Sequence, residues 1–472
     1  MGSKGRSDLG MFFDARSVAI FGSFREWGGL GSGVLENMMK LGYGGRLYPI
    51  SRSQTEVMGL RTHAAIREVS EAVDLAVVIT PRFAVPEIIR ECAESGVKAA
   101  VIVSEHFAEA GDEGAELQRQ LADIARRDGI RIMGPNTIGI LNAANGLVTN
   151  PYLFDSKRIR HGGIAYCSQT GIAGAQCQPL EDRGLGISKM CDIGNKCDVD
   201  EVDVLDYLAG DPETSVVAMH LEDVKDGRRF MEAARKLTAC KPLVILKSGR
   251  SEAGAKASAS HTGSLTGSDQ IYDHAFRQVG AVRVSEWQEY WDIPKVFATG
   301  RLPEGNRIAI VTYSGGAGVV AADVAADVGL VVPGFSPATV EKISKMSPRS
   351  AGNPIDLGPI LSSAYEPAST QEEALSAVVN DDNVDCAAIG MYVGPLAPVE
   401  YLTGLIDGFM ANVSKPVAFW IYGPKLSIVE EASRRLEARG MPTYTDFETA
   451  VRALGKAARY AEFRRSLDKV SA

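Results

Sequence analysis

One histidine stands in a segment of small and hydroxylated residues, a pattern compatible with phosphoryl transfer. The segment KSGRSEAGAKASASHTGSLTGSDQIY runs from Lys247 to Tyr272, and its His261 lies between a serine and a threonine. Serine, glycine and alanine build little core and leave the backbone free to move, so the segment predicts an exposed loop. Neutral imidazole is a nucleophile at physiological pH and can accept a phosphoryl group. The alternative is a loop histidine that only caps a helix beginning near Ser268.

A glycine-containing turn and a carboxylate at a strand end extend this pattern. The turn SQTG, Ser168 to Gly171, follows the apolar strand GGIAYC and precedes a predicted helix, IAGAQCQPLEDRG. Ser168 and Thr170 are favourable N-cap residues, and glycine lets an anion approach the amides at a helix start. A well-capped helix without a ligand would have the same pattern. The run VVAMHLEDV places Glu222 at the end of an apolar strand, where it is either functional or held in a salt bridge or at the surface.

Near the N-terminus the sequence predicts a nucleotide-binding βαβ unit. A buried strand over 17–22, SVAIFG, leads into a glycine-rich loop and then a helical pattern. Further strands are predicted over 46–50, 75–80 and 99–103. The carboxyl ends of parallel strands line one crevice, where ligands bind. The residues predicted at this crevice are Gly22, Ser23, Ser51, Arg52, Thr80, Pro81, Arg82 and, in GPNTIGILN, Asn136.

The end of the second strand argues against NAD as the ligand of this crevice. An NAD site places an acidic residue there to bind the ribose, whereas this chain has Ser51 and Arg52. These residues suit a phosphate group, such as that on the phosphorylated adenosine of coenzyme A (CoA). An NAD-dependent dehydrogenase is therefore disfavoured. An α/β domain with an empty crevice remains the alternative.

The strand, glycine turn and helix pattern occurs three times along the 472 residues. The third occurrence, RIAIVTYSGGAGVVAADVAADVG, follows the linker-like stretch GRLPEGN. Strands over 386–392 and 417–422 and a helix near 447–463 are predicted after it. The sequence thus predicts an α/β protein with domains over 1–145, 146–300 and 301–472.

The amino-acid composition is typical of a globular protein and argues against several classes of binding partner. A hydrophobic content of 45% and a charged content of 23% are those of a globular protein, and the net charge of −9 argues against binding nucleic acid or a membrane. The seven cysteines are scattered without a CxxC pair, which predicts reduced thiols and no metal site. The first ten residues lack the apolar core of a signal peptide, and we expect a cytoplasmic location.

With these features in place, the chain resembles the NDP-forming acyl-CoA synthetases of the succinyl-CoA synthetase superfamily, in particular the α subunit of ADP-forming acetate–CoA ligases. The motifs that carry the resemblance are IGNKCDVDEVD, EDVKDGRRF, KPLVILKSGRSEAGAKASASHTGSLTGSD and VTYSGGAGVVAAD. The resemblance covers nearly the whole chain. It implies a Rossmann-like CoA-binding domain followed by two flavodoxin-like, succinyl-CoA synthetase-like parallel-sheet domains.

The resemblance also implies roles for individual residues. His261 would be the phosphohistidine on a moving loop, Glu222 would orient its imidazole, and Ser168, Thr170 and Gly171 would hold the phosphate. The implied reaction interconverts carboxylate, CoA and ATP with acyl-CoA, ADP and phosphate through an acyl phosphate and a phosphohistidine. His261, Glu222 and Ser168 are all present, which disfavours the rival hypothesis of an inactive CoA-binding regulatory or scaffold protein with the same fold.

Two further expectations concern the partner and the substrate. We recognise neither a counterpart of the family's ATP-grasp domain nor a GxxxxGK[ST] motif in the sequence. We therefore expect a separate β subunit that binds ATP or ADP with Mg²⁺, in a hetero-oligomer of the α2β2 type. The substrate would be a small carboxylate or its acyl-CoA. His106 and Tyr313 depart from the family pattern and are expected to bear on substrate preference.

Overall fold

Apolar runs along the chain form three mainly parallel sheets, each flanked by helices. In the computed structural model, the described residues are 9–25, 28–154, 159–178, 180, 184–262, 268–346, 351–358 and 368–471. Two compact units are present, Met1–Glu181 with Gly186–Ser285 and Asp182–Leu185 with Glu286–Ala472. The first two sheets belong to the first unit and the third sheet to the second unit. None of the described helices is both long and apolar enough to cross a membrane.

The first sheet is built from five parallel strands, and each of the predicted strands is present. The strands of this part of the chain are β1 (Ser17–Phe21), β2 (Arg46–Ile50), β3 (Glu56–Val57), β4 (Leu60–Arg61), β5 (Leu75–Val78), β6 (Ala99–Ile102) and β7 (Arg131–Met133). Their order is β2-β1-β5-β6-β7, and β3 and β4 form a separate antiparallel pair. The accompanying helices are α1 (Gly10–Phe13), α2 (Leu30–Lys40), α3 (Val85–Glu94) and α4 (Asp112–Asp128).

In the second sheet, five parallel strands are extended at one edge by two antiparallel strands. The strands are β8 (Ile140–Asn142), β9 (Leu147–Val148), β10 (His161–Ser168), β11 (Ile187–Asp192), β12 (Val216–Leu221), β13 (Leu243–Lys247) and β14 (Val282–Val284). Their order is β14-β13-β12-β10-β11-β8-β9, and β8 pairs antiparallel with β11. The helices are α5 (Glu201–Gly210), α6 (Gly227–Thr238), α7 (Glu252–Thr262) and α8 (Asp269–Gln278).

Two local predictions in this sheet are wrong. The segment from Lys247 was predicted to be a loop, but the chain forms helix α7 from Glu252 to Thr262. Alanine, glutamate and lysine have high helix propensity, and they outweigh the serines and glycine of this stretch. The helix predicted after SQTG is replaced by two 3-10 turns, Gly171–Ala173 and Ala175–Cys177. Glycines 171 and 174 interrupt this stretch, and glycine costs about 1 kcal/mol relative to alanine in a helix.

The third sheet has the same pattern of parallel strands. Its strands are β15 (Ile308–Thr312), β16 (Ile355–Asp356), β17 (Cys386–Tyr392), β18 (Val417–Tyr422) and β19 (Thr443–Tyr444), in the order β16-β15-β17-β18-β19. The helices of this unit are α9 (Trp287–Asp292), α10 (Pro294–Ala298), α11 (Gly315–Asp327), α12 (Pro337–Met346), α13 (Ala368–Val379), α14 (Val399–Met410), α15 (Leu426–Glu437) and α16 (Phe447–Ser471).

All three sheets share one strand order, and this order locates their ligand crevices. In each sheet the first parallel strand in sequence lies between the second and the third. The chain leaves the first and third strands towards opposite sides, which opens a crevice at their carboxyl ends. These strands are β1 and β5 in the first sheet, β10 and β12 in the second, and β15 and β17 in the third. The α/β class with several parallel sheets is therefore confirmed.

Candidate active site at the second sheet

The crevice of the second sheet contains the predicted turn and the predicted carboxylate. Ser168 is the last residue of β10, and Glu222 directly follows the last residue of the neighbouring strand β12. Between them, the side chain of Gln169 bridges the two strand ends. Its Oε1 accepts hydrogen bonds from the backbone N–H groups of Glu222 at 2.7 Å and Asp223 at 3.3 Å. Its Nε2 donates to Asp223 Oδ1 at 3.0 Å. The predicted position of Glu222 at a strand end is confirmed.

Ser168 is buried beneath the turn that follows it. Only 2% of its surface is exposed, and its Oγ accepts a hydrogen bond from the backbone N–H of Thr170 at 3.0 Å. Thr170 and Gly171 are half-buried, so of these three predicted phosphate ligands they are the more accessible. The Thr170 side chain makes no capping hydrogen bond with the short turn Gly171–Ala173. Ser168 therefore shapes the turn by accepting the Thr170 N–H, which leaves the Thr170 hydroxyl and the Gly171 amide as the groups that an anion could reach.

The buried imidazole of His220 lies between two serine hydroxyls. Its Nδ1 is 3.2 Å from Ser168 Oγ, and its Nε2 is 3.2 Å from Ser248 Oγ. His220 lies on β12, whereas the two serines are at the ends of the strands on either side, β10 and β13. His220 thus joins the carboxyl ends of three adjacent strands.

A buried lysine organises the carboxylates beside this crevice. Lys196 Nζ donates to Asp223 Oδ1 at 2.6 Å, to the Asp223 carbonyl oxygen at 3.1 Å and to Glu201 Oε2 at 3.0 Å. Burial raises the pKa of Glu201 despite the attraction of Lys196. Burial also acts to raise the pKa of Asp223, but the charge and hydrogen bond of Lys196, aided by Gln169, lower it overall. Asp223 is therefore the ionised partner of Lys196.

A second carboxylate, Asp192, lies at the end of β11. Its oxygens accept hydrogen bonds from the backbone N–H groups of Ile138 at 2.9 Å and Gly194 at 3.1 Å. Burial raises its pKa to about 6, and the charge of Glu222 acts in the same direction. Asp192 and Ser168 both line a small cavity with the following apolar and polar residues: Ile138, Gly139, Ile140, Leu141, Val148, Asn150, Ala173, Gly174, Ala175, Met190 and Cys191.

Lys247 links the carboxylate strand to the segment that carries His261. Its Nζ donates to the carbonyl oxygens of Glu222 at 2.7 Å and Ser248 at 2.5 Å, and lies 4.6 Å from the ring centre of Tyr272. Burial lowers the pKa of Lys247 to about 8. His261 is on helix α7, and its side chain lies outside the described residues. The described chain ends at residue 262 and resumes at 268.

The crevice of the first sheet brings together most of the residues predicted to bind CoA. Gly22 and Ser23 follow β1, Ser51 and Arg52 follow β2, and Thr80 lies just after β5. The Ser23 carbonyl oxygen accepts a hydrogen bond from the backbone N–H of Gly31 at 3.0 Å, near the start of α2. Thr80 Oγ1 is buried and has no hydrogen-bond partner among the residues that the structure describes. An unpaired buried hydroxyl is costly, and a ligand in the crevice would satisfy it.

Three of the predicted CoA residues have other surroundings. Pro81 is exposed, and Arg82 beside it donates to the His106 carbonyl oxygen at 2.9 Å and to Glu113 Oε2 at 2.5 Å. Asn136 has a positive φ of 58° and donates from Nδ2 to Asn195 Oδ1 at 3.3 Å. Arg82 therefore already has an anionic partner, and Asn136 is bonded to the IGNK turn that follows β11.

Sequence reasoning missed several residues of the second crevice. Gln169 lies inside the predicted SQTG turn but was given no role, and no role was predicted for His220. Lys247 ends an otherwise apolar strand, as Glu222 follows one, and Asp192 ends a wholly buried strand. The same signal, a charged residue at the end of a buried strand, would have found them. Among the described residues, no group of three or more His, Cys, Asp or Glu side chains is arranged to hold a metal ion.

Comparison with known families agrees with this architecture. Residues 16–143 match the model of a CoA binding domain, residues 161–297 that of a succinyl-CoA ligase like flavodoxin domain, and residues 308–468 that of a Ligase-CoA domain. The three matches together span most of the chain and follow the order of the three sheets.

Individual relatives match over nearly the whole chain. The α subunit of ADP-forming acetate–CoA ligase II from Pyrococcus furiosus is 36% identical, with 92% of this chain and 94% of the relative covered. ADP-forming acetate–CoA ligase II from Archaeoglobus fulgidus is 36% identical over 97% of this chain and 68% of its own length. The dinucleotide-forming acetyl-CoA synthetase 1 of Candidatus Korarchaeum cryptofilum, solved with phosphate and ADP, has a TM-score of 0.88 and 31% identity, with 99% of each chain covered. The chain therefore belongs to the family of ADP-forming acyl-CoA synthetases, acid–thiol ligases with succinyl-CoA ligase-like domains.

Proposed function

We propose that this chain is the α subunit of an ADP-forming acyl-CoA synthetase. It would interconvert a small carboxylic acid, CoA and ATP with acyl-CoA, ADP and phosphate. The observation that carries this proposal is the meeting of the SQTG turn and Glu222 at one crevice, where Gln169 joins them. An anion-binding turn beside a carboxylate is the arrangement that phosphoryl transfer through a histidine requires.

The second-sheet crevice would be the site of phosphoryl transfer. The Thr170 hydroxyl and the half-buried Gly171 amide would hold a phosphoryl group, while Ser168 supports their turn by accepting the Thr170 N–H. His261 would attack phosphorus with one ring nitrogen and accept the phosphoryl group. Glu222 would accept a hydrogen bond from the other ring nitrogen, which fixes the tautomer and stabilises the positive charge that develops.

His261 would carry the phosphoryl group between ATP and the carboxylic acid, and the acid would then react with CoA. In the direction of acyl-CoA formation, ATP would phosphorylate His261, and the phosphoryl group would pass to the carboxylate of the acid. The resulting acyl phosphate would react with the thiol of CoA, which forms the thioester and releases phosphate. Each transfer breaks one P–O, P–N or C–O bond as the next bond forms, so no oxidant or reductant is needed.

The crevice of the first sheet would bind CoA. Arg52 is exposed at the end of β2 and would pair with a phosphate of the ligand. The buried Thr80 hydroxyl, which has no partner among the described residues, would gain one. Gly22, Ser23, Ser51 and Pro81 would complete the wall of this site, whereas Arg82 and Asn136 would support it from their own pairs with Glu113 and Asn195.

We further propose that the nucleotide and Mg²⁺ bind to a separate ATP-grasp β subunit in an α2β2 complex. The relative from Pyrococcus furiosus, an α subunit by name, supports this partner. The ranges of the three family models support domains over 1–145, 146–300 and 301–472. All seven cysteines are free thiols, which supports the cytoplasm as the compartment.

A reconstitution experiment tests the proposal. The purified chain alone should form no ATP from acyl-CoA, ADP and phosphate, and addition of an ATP-grasp β subunit should restore turnover. The complex incubated with Mg-ATP should carry an acid-labile, alkali-stable phosphate on His261, located by peptide mapping. His261→Ala should abolish both, whereas His274→Ala, an exposed residue of α8, should abolish neither. Phosphate on another histidine would overturn the mechanism, and CoA binding without turnover in the complex would identify an inactive scaffold.

A further inference from the structure

His220 is positioned to connect the anion-binding turn with the segment that carries His261. Its Nδ1 lies 3.2 Å from Ser168 Oγ, which accepts the backbone N–H of Thr170. Its Nε2 lies 3.2 Å from Ser248 Oγ, four residues before the start of α7. The imidazole of His220 therefore contacts both serines. The residue itself is only 2% exposed.

We propose that His220 is a positioning residue for phosphoryl transfer, acting through Ser168 on the phosphate turn and through Ser248 on the base of the His261 segment. This inference rests on the proposed function of the second-sheet crevice. His220 would not touch the phosphoryl group, because the Ser168 hydroxyl and the turn lie between them. His220 would hold the SQTG turn and the segment that carries His261 in fixed positions relative to each other.

The two hydrogen bonds are chemically compatible with one tautomer. Ser248 Oγ can donate to the Leu221 carbonyl oxygen at 3.4 Å, and it then accepts from His220 Nε2–H. Ser168 Oγ already accepts from Thr170 and can donate its hydrogen to His220 Nδ1. A neutral imidazole supplies one donor and one acceptor, so it satisfies both serines at once.

An apolar residue at this position would not maintain either contact. A buried leucine would remove the imidazole contact of both the Ser168 and the Ser248 hydroxyl, which costs free energy and loosens both segments. Asparagine and glutamine separate the two effects. The amide of asparagine occupies the place of Nδ1 and can reach Ser168, whereas that of glutamine occupies the place of Nε2 and can reach Ser248.

Kinetics of the assembled enzyme with His220→Asn and His220→Gln test this division. With His220→Asn, the KM for phosphate should stay within about twofold of wild type, while the rate of His261 phosphorylation falls about 3- to 10-fold. With His220→Gln, the phosphate KM should rise about 3- to 10-fold, and the rate of phosphorylation at saturation should change little. The KM for CoA should be unaffected in both variants. His220→Leu should show both defects.

A merely structural role would give a different result. Equal changes of both parameters in the asparagine and glutamine variants, or wild-type kinetics in His220→Leu, would overturn the proposal. If His220→Leu does not fold, the other two variants still decide, because each keeps one of the contacts.

A measurement without turnover separates this inference from the proposed function. In the isolated chain with ¹⁵N-labelled histidine, added inorganic phosphate should shift the His220 ring signals, identified by their loss in His220→Asn. The signals of His274, exposed on α8, serve as the control. If His261→Ala retained activity, the proposed function would fail while the phosphate-dependent shift could still be seen. No shift of the His220 signals at saturating phosphate would refute the positioning role.

Discussion

The side chain of Gln169 holds the backbone of Glu222: the Glu222 amide nitrogen lies 2.7 Å from Gln169 Oε1. This bond spans 53 residues of sequence and ties the turn after β10 to the end of β12. Because this hydrogen bond holds the Glu222 backbone in place, it also fixes the point at the crevice from which the Glu222 side chain extends. A site that orients an imidazole requires such support from the surrounding residues.

Replacement of Glu222 by Gln should separate catalysis from binding. The change keeps the size of the side chain and the backbone bond to Gln169 but removes the negative charge. We expect turnover of the assembled enzyme to fall by about 10²-fold or more, because the His261 imidazole loses its orienting charge, while CoA binding is unchanged. Steady-state kinetics and calorimetry measure the two effects. Glu232→Gln, on the exposed face of α6, is the control, and wild-type turnover in Glu222→Gln would contradict the assignment.

Arg52→Ala should weaken CoA binding to the isolated chain. A charge-assisted contact with phosphate contributes on the order of 1.5–3 kcal/mol when it is well formed, and its loss should raise the Kd of CoA accordingly. Isothermal titration calorimetry gives this value directly. Arg119→Ala, which removes a surface partner of Glu116 on α4, should leave the Kd unchanged. Binding of NAD at micromolar affinity without binding of CoA would disprove this use of the crevice.

Lys196→Met should destabilise the first unit strongly. The substitution leaves Glu201 and Asp223 buried without their shared cation. Removal of one member of a buried ion pair costs about 3–5 kcal/mol in free energy of unfolding. Urea denaturation, followed by circular dichroism, measures the loss.

The matched control for Lys196 is Lys236→Met. Lys236 pairs with Asp206 at the surface, where its side chain is 61% exposed. Exposed pairs contribute about 0–1 kcal/mol, so this variant should unfold at nearly the wild-type urea concentration. Equal destabilisation of the two variants would show that the buried network is not what stabilises this region.

The pH dependence of stability should report on Asp192. Its folded-state pKa is raised to about 6 from an ordinary value of 3.8, because the carboxyl is buried. Between these values the folded chain keeps a proton that the unfolded chain releases, so the free energy of unfolding falls as pH rises and then levels off above 6. Asp192→Asn should reduce this slope in urea denaturation across the same pH range. Asp123→Asn, exposed on α4, should keep the wild-type slope; an unchanged slope in Asp192→Asn would refute the assignment.

Local patterns in the sequence account for the parts of the fold that were predicted well. Strands β17 and β18 have their predicted bounds because the runs from Cys386 and Val417 are apolar and almost wholly buried. The position of Glu222 at a strand end was predicted because a carboxylate directly after an apolar run is unusual. The roles proposed for His261, Ser168 and the CoA residues remain predictions.

Contacts between distant segments could not be read from the sequence. Lys196 lies in the motif IGNKCDVDEVD and had no predicted role, but it has a positive φ of 55° and binds a carboxylate 27 residues away. The partners of Gln169 and His220 are likewise set by which strands become neighbours in the sheet. Helix α7 was missed because glycine and serine suggested a loop, although its alanines favour a helix.

The antiparallel pair β8–β9 has a consequence for synthesis of the chain. These strands precede the parallel strands of the second sheet in sequence, yet β8 covers the edge of β11. During translation β8 and β9 leave the ribosome before β11 has been made. The backbone groups of β8 that pair with β11 therefore stay unpaired until β11 is synthesised. Conversely, a truncated chain that begins at residue 146 would lack β8 and leave β11 with an open edge, which is a template for association with other chains. By pairing with β11, the upstream strand β8 protects this edge of the second sheet from association with other chains.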